Sequence, residues 1–142
     1  MDFEGTQIGE LERDTGTSVH TPDGLTGAVV DALGDLAASA GHSLADISGV
    51  ALGIAGIVEA DRGMIYWSPS LSQRNVDFAR LLDLRLGRPA FVDNDANLVA
   101  VAEKSFGLGQ GHSDFIVVTI ESGVGMGLVL NGEIYRGTRG CG

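Results

Sequence analysis

Residues 89–107 read Pro89-Ala90-Phe91-Val92-Asp93-Asn94-Asp95-Ala96-Asn97-Leu98-Val99-Ala100-Val101-Ala102-Glu103-Lys104-Ser105-Phe106-Gly107. Pro89 cannot sit inside a helix, and the short apolar run Ala90-Phe91-Val92 behind it predicts a buried strand. Asp93-Asn94-Asp95 supplies turn and N-cap residues, after which Leu98, Val101, Ala102 and Ser105 share one helical face as far as Gly107. Strand, polar turn, helix is the unit of a parallel α/β sheet, and in such sheets ligands lie beyond the carboxyl ends of the strands. The turn at 93–97 is therefore the first place to look for chemistry. A carboxylate there can accept a proton from a ligand hydroxyl, while a neighbouring amide, donor and acceptor at once, holds an adjacent hydroxyl. Asp95 and Asn94 fit those roles, although capping of the helix by Asp93 and Asp95 accounts for the turn equally well.

Upstream the pattern is also α/β. Glu4-Gly5 is a weak turn signal between two short extended pieces in residues 3–12, consistent with a hairpin. Thr21-Pro22 offers an N-cap and a first-turn proline, and Leu25, Val29, Leu33, Leu36 and Ala40 follow at helical spacing until Gly41. The unbroken apolar run from Ser48 to Val58 suits one strand covered on both faces. Met64–Trp67 predicts another strand, and Val76–Leu86 a helix with Phe78, Leu81, Leu82 and Leu86 on one face and Gly87 as its cap.

Beyond Gly107 the character changes. The stretch 107–113 predicts a lobe boundary, followed by strands at Phe115–Ile120 and Val124–Leu130 and a two-residue hairpin loop at Asn131-Gly132. Glu121-Ser122-Gly123-Val124-Gly125-Met126-Gly127 is a glycine-spaced hairpin. Its backbone N–H groups can cradle a phosphate with the Ser122 hydroxyl as a further donor, or its glycines can answer a packing need. Arg136 and Arg139, beside Gly137 and Gly140, can approach an anion but read better as a mobile tail and receive no role.

The 142 residues carry a formal charge of −10, with 44% hydrophobic and 20% charged residues. That balance allows a buried core and disfavours phosphate backbones and anionic membranes as partners of this segment. No run approaches the roughly 18 apolar residues of a membrane span, and Met1-Asp2-Phe3-Glu4 is acidic where a signal peptide is basic. A cytoplasmic setting is expected. The lone Cys141 allows no intrachain disulfide, and His20, His42 and His112 lack metal-ligand spacing, so no metal site is expected.

Taken together, Val50–Val58, Ser68-Pro69-Ser70-Leu71, Phe91–Asn97 with Ala102-Glu103 and Phe106-Gly107, and Glu121–Gly127 with Asn131-Gly132 and Tyr135-Arg136-Gly137 resemble the ROK family in order and spacing. That family comprises bacterial sugar kinases and sugar-responsive repressors on the ribonuclease H-like, actin-like ATPase fold. The resemblance covers nearly the whole chain and is weakest over residues 1–20. It implies a catalytic-base position at Asp95, sugar-binding positions at Asn94, Ser70 and Glu103, and a phosphate loop at Ser122, Gly123, Gly125 and Gly127.

The departures are as informative. The family's first phosphate loop, an Asp followed by Gly-Gly-Thr, is absent. The sugar-contacting Asn after Pro69 is Ser70, and the opening Gly of the second phosphate loop is Glu121, whose charge opposes ATP. The family continues into a Glu-x-Gly-His segment where this chain ends, and Cys141 does not fall at a zinc-cysteine position. The expectation is an incomplete α/β unit: an N-terminal lobe over 1–112 lacking its first strand, and the start of a C-terminal lobe over 113–142. Its implied function is the sugar-binding effector domain of a ROK transcriptional regulator, with an ATP-dependent sugar kinase fragment as the alternative. No cofactor is expected in the first case; ATP and Mg²⁺ belong to the second. Expected partners are a small-molecule sugar and a second copy of the chain, with DNA reached only through a separate N-terminal domain and no membrane.

Overall fold

The computed structural model describes residues 5–14, 20–121, 123–138 and 140. Met1–Glu4, Ser122, Arg139 and Cys141, all given readings above, lie outside the described residues. Residues 5–14 contain no strand, so the described part of the expected hairpin is irregular. It lies against α1 (Pro22–Ser39), where Gly9 faces Leu36 and Arg13 pairs with Asp35. Helix α1 starts where its cap predicts: Thr21 Oγ1 accepts the Gly24 N–H at 3.1 Å, and Pro22 opens the first turn.

The apolar run 48–58 is two strands, not one. β1 (Val50–Ile54) pairs in parallel with β5 (Ala90–Asn94), whereas β2 (Ile57–Glu59) turns away to pair antiparallel with β3 (Met64–Trp67), which in turn pairs with β4 (Val76–Asp77). The break falls at Ala55-Gly56. Gly56 has φ 141°, and a Cβ there would lie 2.9 Å from Ser68 Cα and closer still to the Trp67 carbonyl, so glycine alone lets the backbone leave one sheet and join the other. Nor is β1 covered on both faces, since Ala51 and Gly53 are exposed.

Val76-Asp77 is also strand rather than helix; α2 (Phe78–Leu86) begins one residue after Asp77, whose carboxylate caps it through the Arg80 N–H at 3.3 Å. The core gathers Ile54, Val58, Ile65, Leu71, Val76, Phe78, Leu82 and Val92, with Leu25 and Val29 of α1 packed against it. Phe78 and Leu82 are fully buried, each stabilising the fold by about 1.5–3 kcal/mol.

α3 (Asp95–Phe106) carries a different face inward from the expected one: Ala96, Asn97 and Ala100 are buried while Ala102 and Ser105 are exposed. The covering element is the antiparallel sheet of β6 (Phe115–Ile120), β7 (Val124–Leu130) and β8 (Glu133–Tyr135). Gly125 and Gly127 of β7 lie directly on Ala96 and Ala100, so small residues on both partners set a short strand-to-helix distance. Asn131 (φ 51°) and Gly132 (φ 78°) make the predicted two-residue turn between β7 and β8.

Candidate functional site

β1 and β5 run in parallel, and the turn from β5 into α3 opens at their carboxyl end, where α/β sheets bind ligands. Asn94 is the N-cap of α3: its Oδ1 accepts the Asn97 N–H at 3.2 Å, and its Nδ2 donates to the Gly56 carbonyl at 3.0 Å. A carboxamide has two N–H bonds and two acceptor lone pairs. Among the described residues one of each is engaged, which leaves Asn94 a donor and an acceptor on one side chain for a vicinal pair of hydroxyls.

Asp95 follows at the first position of the helix, exposed, its Oδ1 accepting the Ala96 N–H at 2.9 Å. Among the described residues Oδ2 has no hydrogen-bond partner. The site thus offers a carboxylate oxygen able to accept a hydroxyl proton beside an amide able to hold the neighbouring hydroxyl.

The loop carrying Ser70 adjoins this turn through Gly56, which touches Ser68 and holds Asn94. Buried Ser68 fixes the loop by accepting the Ser70 N–H at 3.1 Å, and the Ser70 carbonyl accepts the His20 N–H at 3.0 Å. Ser70 Oγ makes no hydrogen bond among the described residues. Glu103 sits eight residues beyond Asp95 on the helix, a rise of about 12 Å. Its Oε2 accepts the Leu108 N–H at 2.8 Å beside a cavity of about 470 Å³ shared with His112, Asp114 and Phe115. The structure does not bring Glu103 to the Asn94–Asp95 turn.

Of the glycine hairpin, Gly123 faces open space, whereas a Cβ on Gly125 would lie 2.6 Å from Thr119 Oγ1 and one on Gly127 would lie 2.5 Å from the Ala96 carbonyl. These two glycines serve packing on α3. Glu121 is exposed beside Gly123, whose carbonyl accepts its N–H at 2.9 Å.

Asp93, read from the sequence only as a cap although the N-cap is Asn94, and Asn97, given no role, stand at the centre of the site. Asp93, 5% exposed, accepts four hydrogen bonds: from Asn94 N (2.7 Å) and Asn97 Nδ2 (3.2 Å) on Oδ1, and from Arg136 Nε (3.1 Å) and Nη2 (2.9 Å) on Oδ2. Arg136 is thus anchored and not a mobile tail. Asn97, 1% exposed, also donates to the Gly140 carbonyl at 3.0 Å. A buried Asp demands such a partner, but nothing local in the sequence says which cation provides it.

Fold and turn together define an α/β protein with a polar turn at the carboxyl end of its parallel strands. The ROK family model matches residues 5–142, and the chain belongs to the ROK family. It is 32% identical over 137 residues to the glucokinase of Streptomyces coelicolor, across 96% of this chain and 41% of that protein. It is 26% identical over 139 residues to the xylose repressor of Bacillus subtilis, across 98% and 35% respectively. Among solved structures, a ROK family glucokinase from Streptomyces griseus in complex with glucose and AMPPNP matches with a TM-score of 0.76 and 34% identity, over 88% of this chain and 38% of that one. The fold is accordingly of the actin-like ATPase type, and the chain spans roughly two-fifths or less of the length of these relatives. No helix among the described residues is long and apolar enough to cross a membrane, and none of their His, Asp and Glu side chains form a group of three that could hold a metal.

Proposed function

We propose that this chain holds a sugar in the manner of a ROK effector domain, and that the protein it serves is a sugar-responsive transcriptional regulator. The observation that carries the reading is the Asn94–Asp95 turn at the end of a parallel strand, where among the described residues the Asn94 amide keeps a donor and an acceptor and Asp95 keeps one carboxylate oxygen unengaged. Ser70 Oγ, on the adjoining loop, is a third sugar contact. Glucose and xylose are the first ligands to test, because relatives of this chain are a glucokinase and a xylose repressor. In this reading residues 1–112 and 113–142 are an incomplete pair of lobes, DNA is contacted through a separate N-terminal domain, a second copy is a partner, and the setting is cytoplasmic.

The second reading is a sugar kinase. It is favoured by Asp95, whose free oxygen can take the proton of a sugar hydroxyl as that oxygen attacks a phosphoryl group. The glycine hairpin fits a nucleotide poorly: Gly125 and Gly127 are occupied by α3, and the exposed Glu121 adds a negative charge where phosphates would lie. No phosphoryl-transfer step is assigned to it.

Calorimetric titration of the chain with glucose and with xylose tests the sugar reading, alongside Asn94→Ala and Asp95→Ala. Weak binding that both variants abolish is expected, since one wall of polar contacts supplies only part of a sugar's affinity. Binding that survives both variants refutes the site. Assay of ATP-dependent sugar phosphorylation, repeated with Glu121→Gly, separates the two readings. Turnover near the ordinary enzyme rate of about 10 per second, lost in Asp95→Ala, makes the protein a kinase.

A further inference from the structure

We propose that Arg136 and Asp93 are positioning residues: the segment leaving β8 clasps the β5–α3 turn and sets the orientation in which Asn94 and Asp95 meet a sugar. The inference rests on the sugar-holding reading of that turn.

The clasp closes at two points. Arg136 presents two N–H groups to one oxygen of Asp93, and four residues later the Gly140 carbonyl receives the Asn97 amide. Asp93 and Asn97 are themselves bonded at 3.2 Å, so both ends of the tail hook onto one polar unit. Gly140 also lies so tightly on the Val58 carbonyl that any side chain would collide with it. The tail therefore touches β2, the β5–α3 turn and β8 at once.

The effect on the ligand side chains follows from how Asp93 is shared. Its Oδ1 receives the backbone N–H of Asn94, the residue whose amide faces the ligand, while Oδ2 is held from outside by Arg136. Asp93 is nearly buried and Arg136 is 38% exposed, so the fork closes from the solvent side. Removing it leaves a buried carboxylate with half its partners, free to rotate away from Asn94 N and Asn97 Nδ2. Charge alone does not replace the fork, because lysine is a point charge without the planar pair of donors.

The test compares wild type with Arg136→Met and Arg136→Lys by NMR, in the sugar-free chain and during titration with glucose and with xylose. In the sugar-free chain the Asn97 and Asn94 side-chain amide resonances are expected to move and exchange faster in Arg136→Met, and to lie between the two in Arg136→Lys. The Asn75 and Asn131 signals should stay in place. Sugar affinity is expected to fall about tenfold in Arg136→Met, the scale of leaving a buried polar group half satisfied. Unchanged Asn94 and Asn97 signals in folded Arg136→Met overturn the proposal, as does unchanged sugar affinity with shifted amides. Should Arg136→Met fail to fold, Arg136→Lys decides by the same two readouts. Should wild type bind neither sugar, the functional reading fails, and the sugar-free amide signals still decide whether the clasp exists.

Discussion

Gly127 lies on the carbonyl of Ala96: a Cβ at position 127 would come within 2.5 Å of that oxygen and 2.7 Å of the Ala100 methyl. Helix α3 and strand β7 are held at a separation that only glycine permits. Gly127→Ala is expected to destabilise the chain by about 1–3 kcal/mol, the scale of overpacking, because backbone must shift to admit the methyl. Gly123→Ala, where nothing lies within 4 Å, should stay within about 0.5 kcal/mol of wild type. Urea midpoints measured on both variants decide the matter, and equal midpoints contradict the contact.

Thr21 caps α1 through a single hydroxyl, accepting the Gly24 N–H. Thr21→Ala should reduce stability by about 1 kcal/mol and Thr21→Ser by almost nothing, since serine keeps the oxygen. Thermal unfolding of the pair checks this, and an alanine variant as stable as the serine one counts against the cap.

Asp114 anchors the β7–β8 turn by accepting the Asn131 N–H at 2.9 Å, with the Ser113 hydroxyl on its other oxygen. The Ser113 hydroxyl first, and the Asn131 N–H second, hold its carboxyl below the ordinary 3.8. A carboxyl lowered by folding adds stability in full above its unfolded value. That contribution fades as pH falls from about 4 through the lower folded value. Carboxyl-carbon NMR should show Asp114 titrating below 3.8 and rising toward it in Ser113→Ala. A wild-type midpoint at or above 3.8 is incompatible with the arrangement.

The sheet face turned away from α3 is apolar. Val118 opposes Met126, Ile120 opposes Val124, Ile116 opposes Leu128, and all except the part-buried Leu128 are exposed. Self-association is expected in the micromolar range, with sedimentation giving a mass that rises with concentration. Met126→Lys, placing a charge at the centre of the patch, should restore the monomer. A wild-type chain that sediments only as monomer defeats the expectation.

Local chemistry made much of this fold readable. Thr21-Pro22, Gly87 and Asn131-Gly132 mark their boundaries because caps and turns depend on a few neighbouring atoms. The strand-end rule led to Asn94 and Asp95 for the same reason. Tertiary approach hid the rest. Ala55-Gly56 interrupts no hydrophobic pattern, yet the chain changes sheets there because Trp67 and Ser68 pass so close. The inward face of α3 is built on Ala96 and Ala100, which periodicity ranks below Leu98 and Val101, and only the glycines of β7 make small residues the right ones. Asp93 read as a cap because its partner Arg136 is 43 residues away.

That separation makes the turn depend on distant parts of the chain. Asn94 reaches Gly56 across 38 positions, while Asp93 and Asn97 reach Arg136 and Gly140 across 43. Closing such loops carries an entropy penalty that nearby contacts do not, so helices and hairpins form ahead of them. Until those loops close, a folding chain that has formed its helices and hairpins still has a hydrated Asp93 and an unfixed Asn94. On the sugar-holding reading proposed above, cleavage between β8 and Gly140 is expected to loosen the Asn94–Asp95 turn while leaving the hydrophobic core in place.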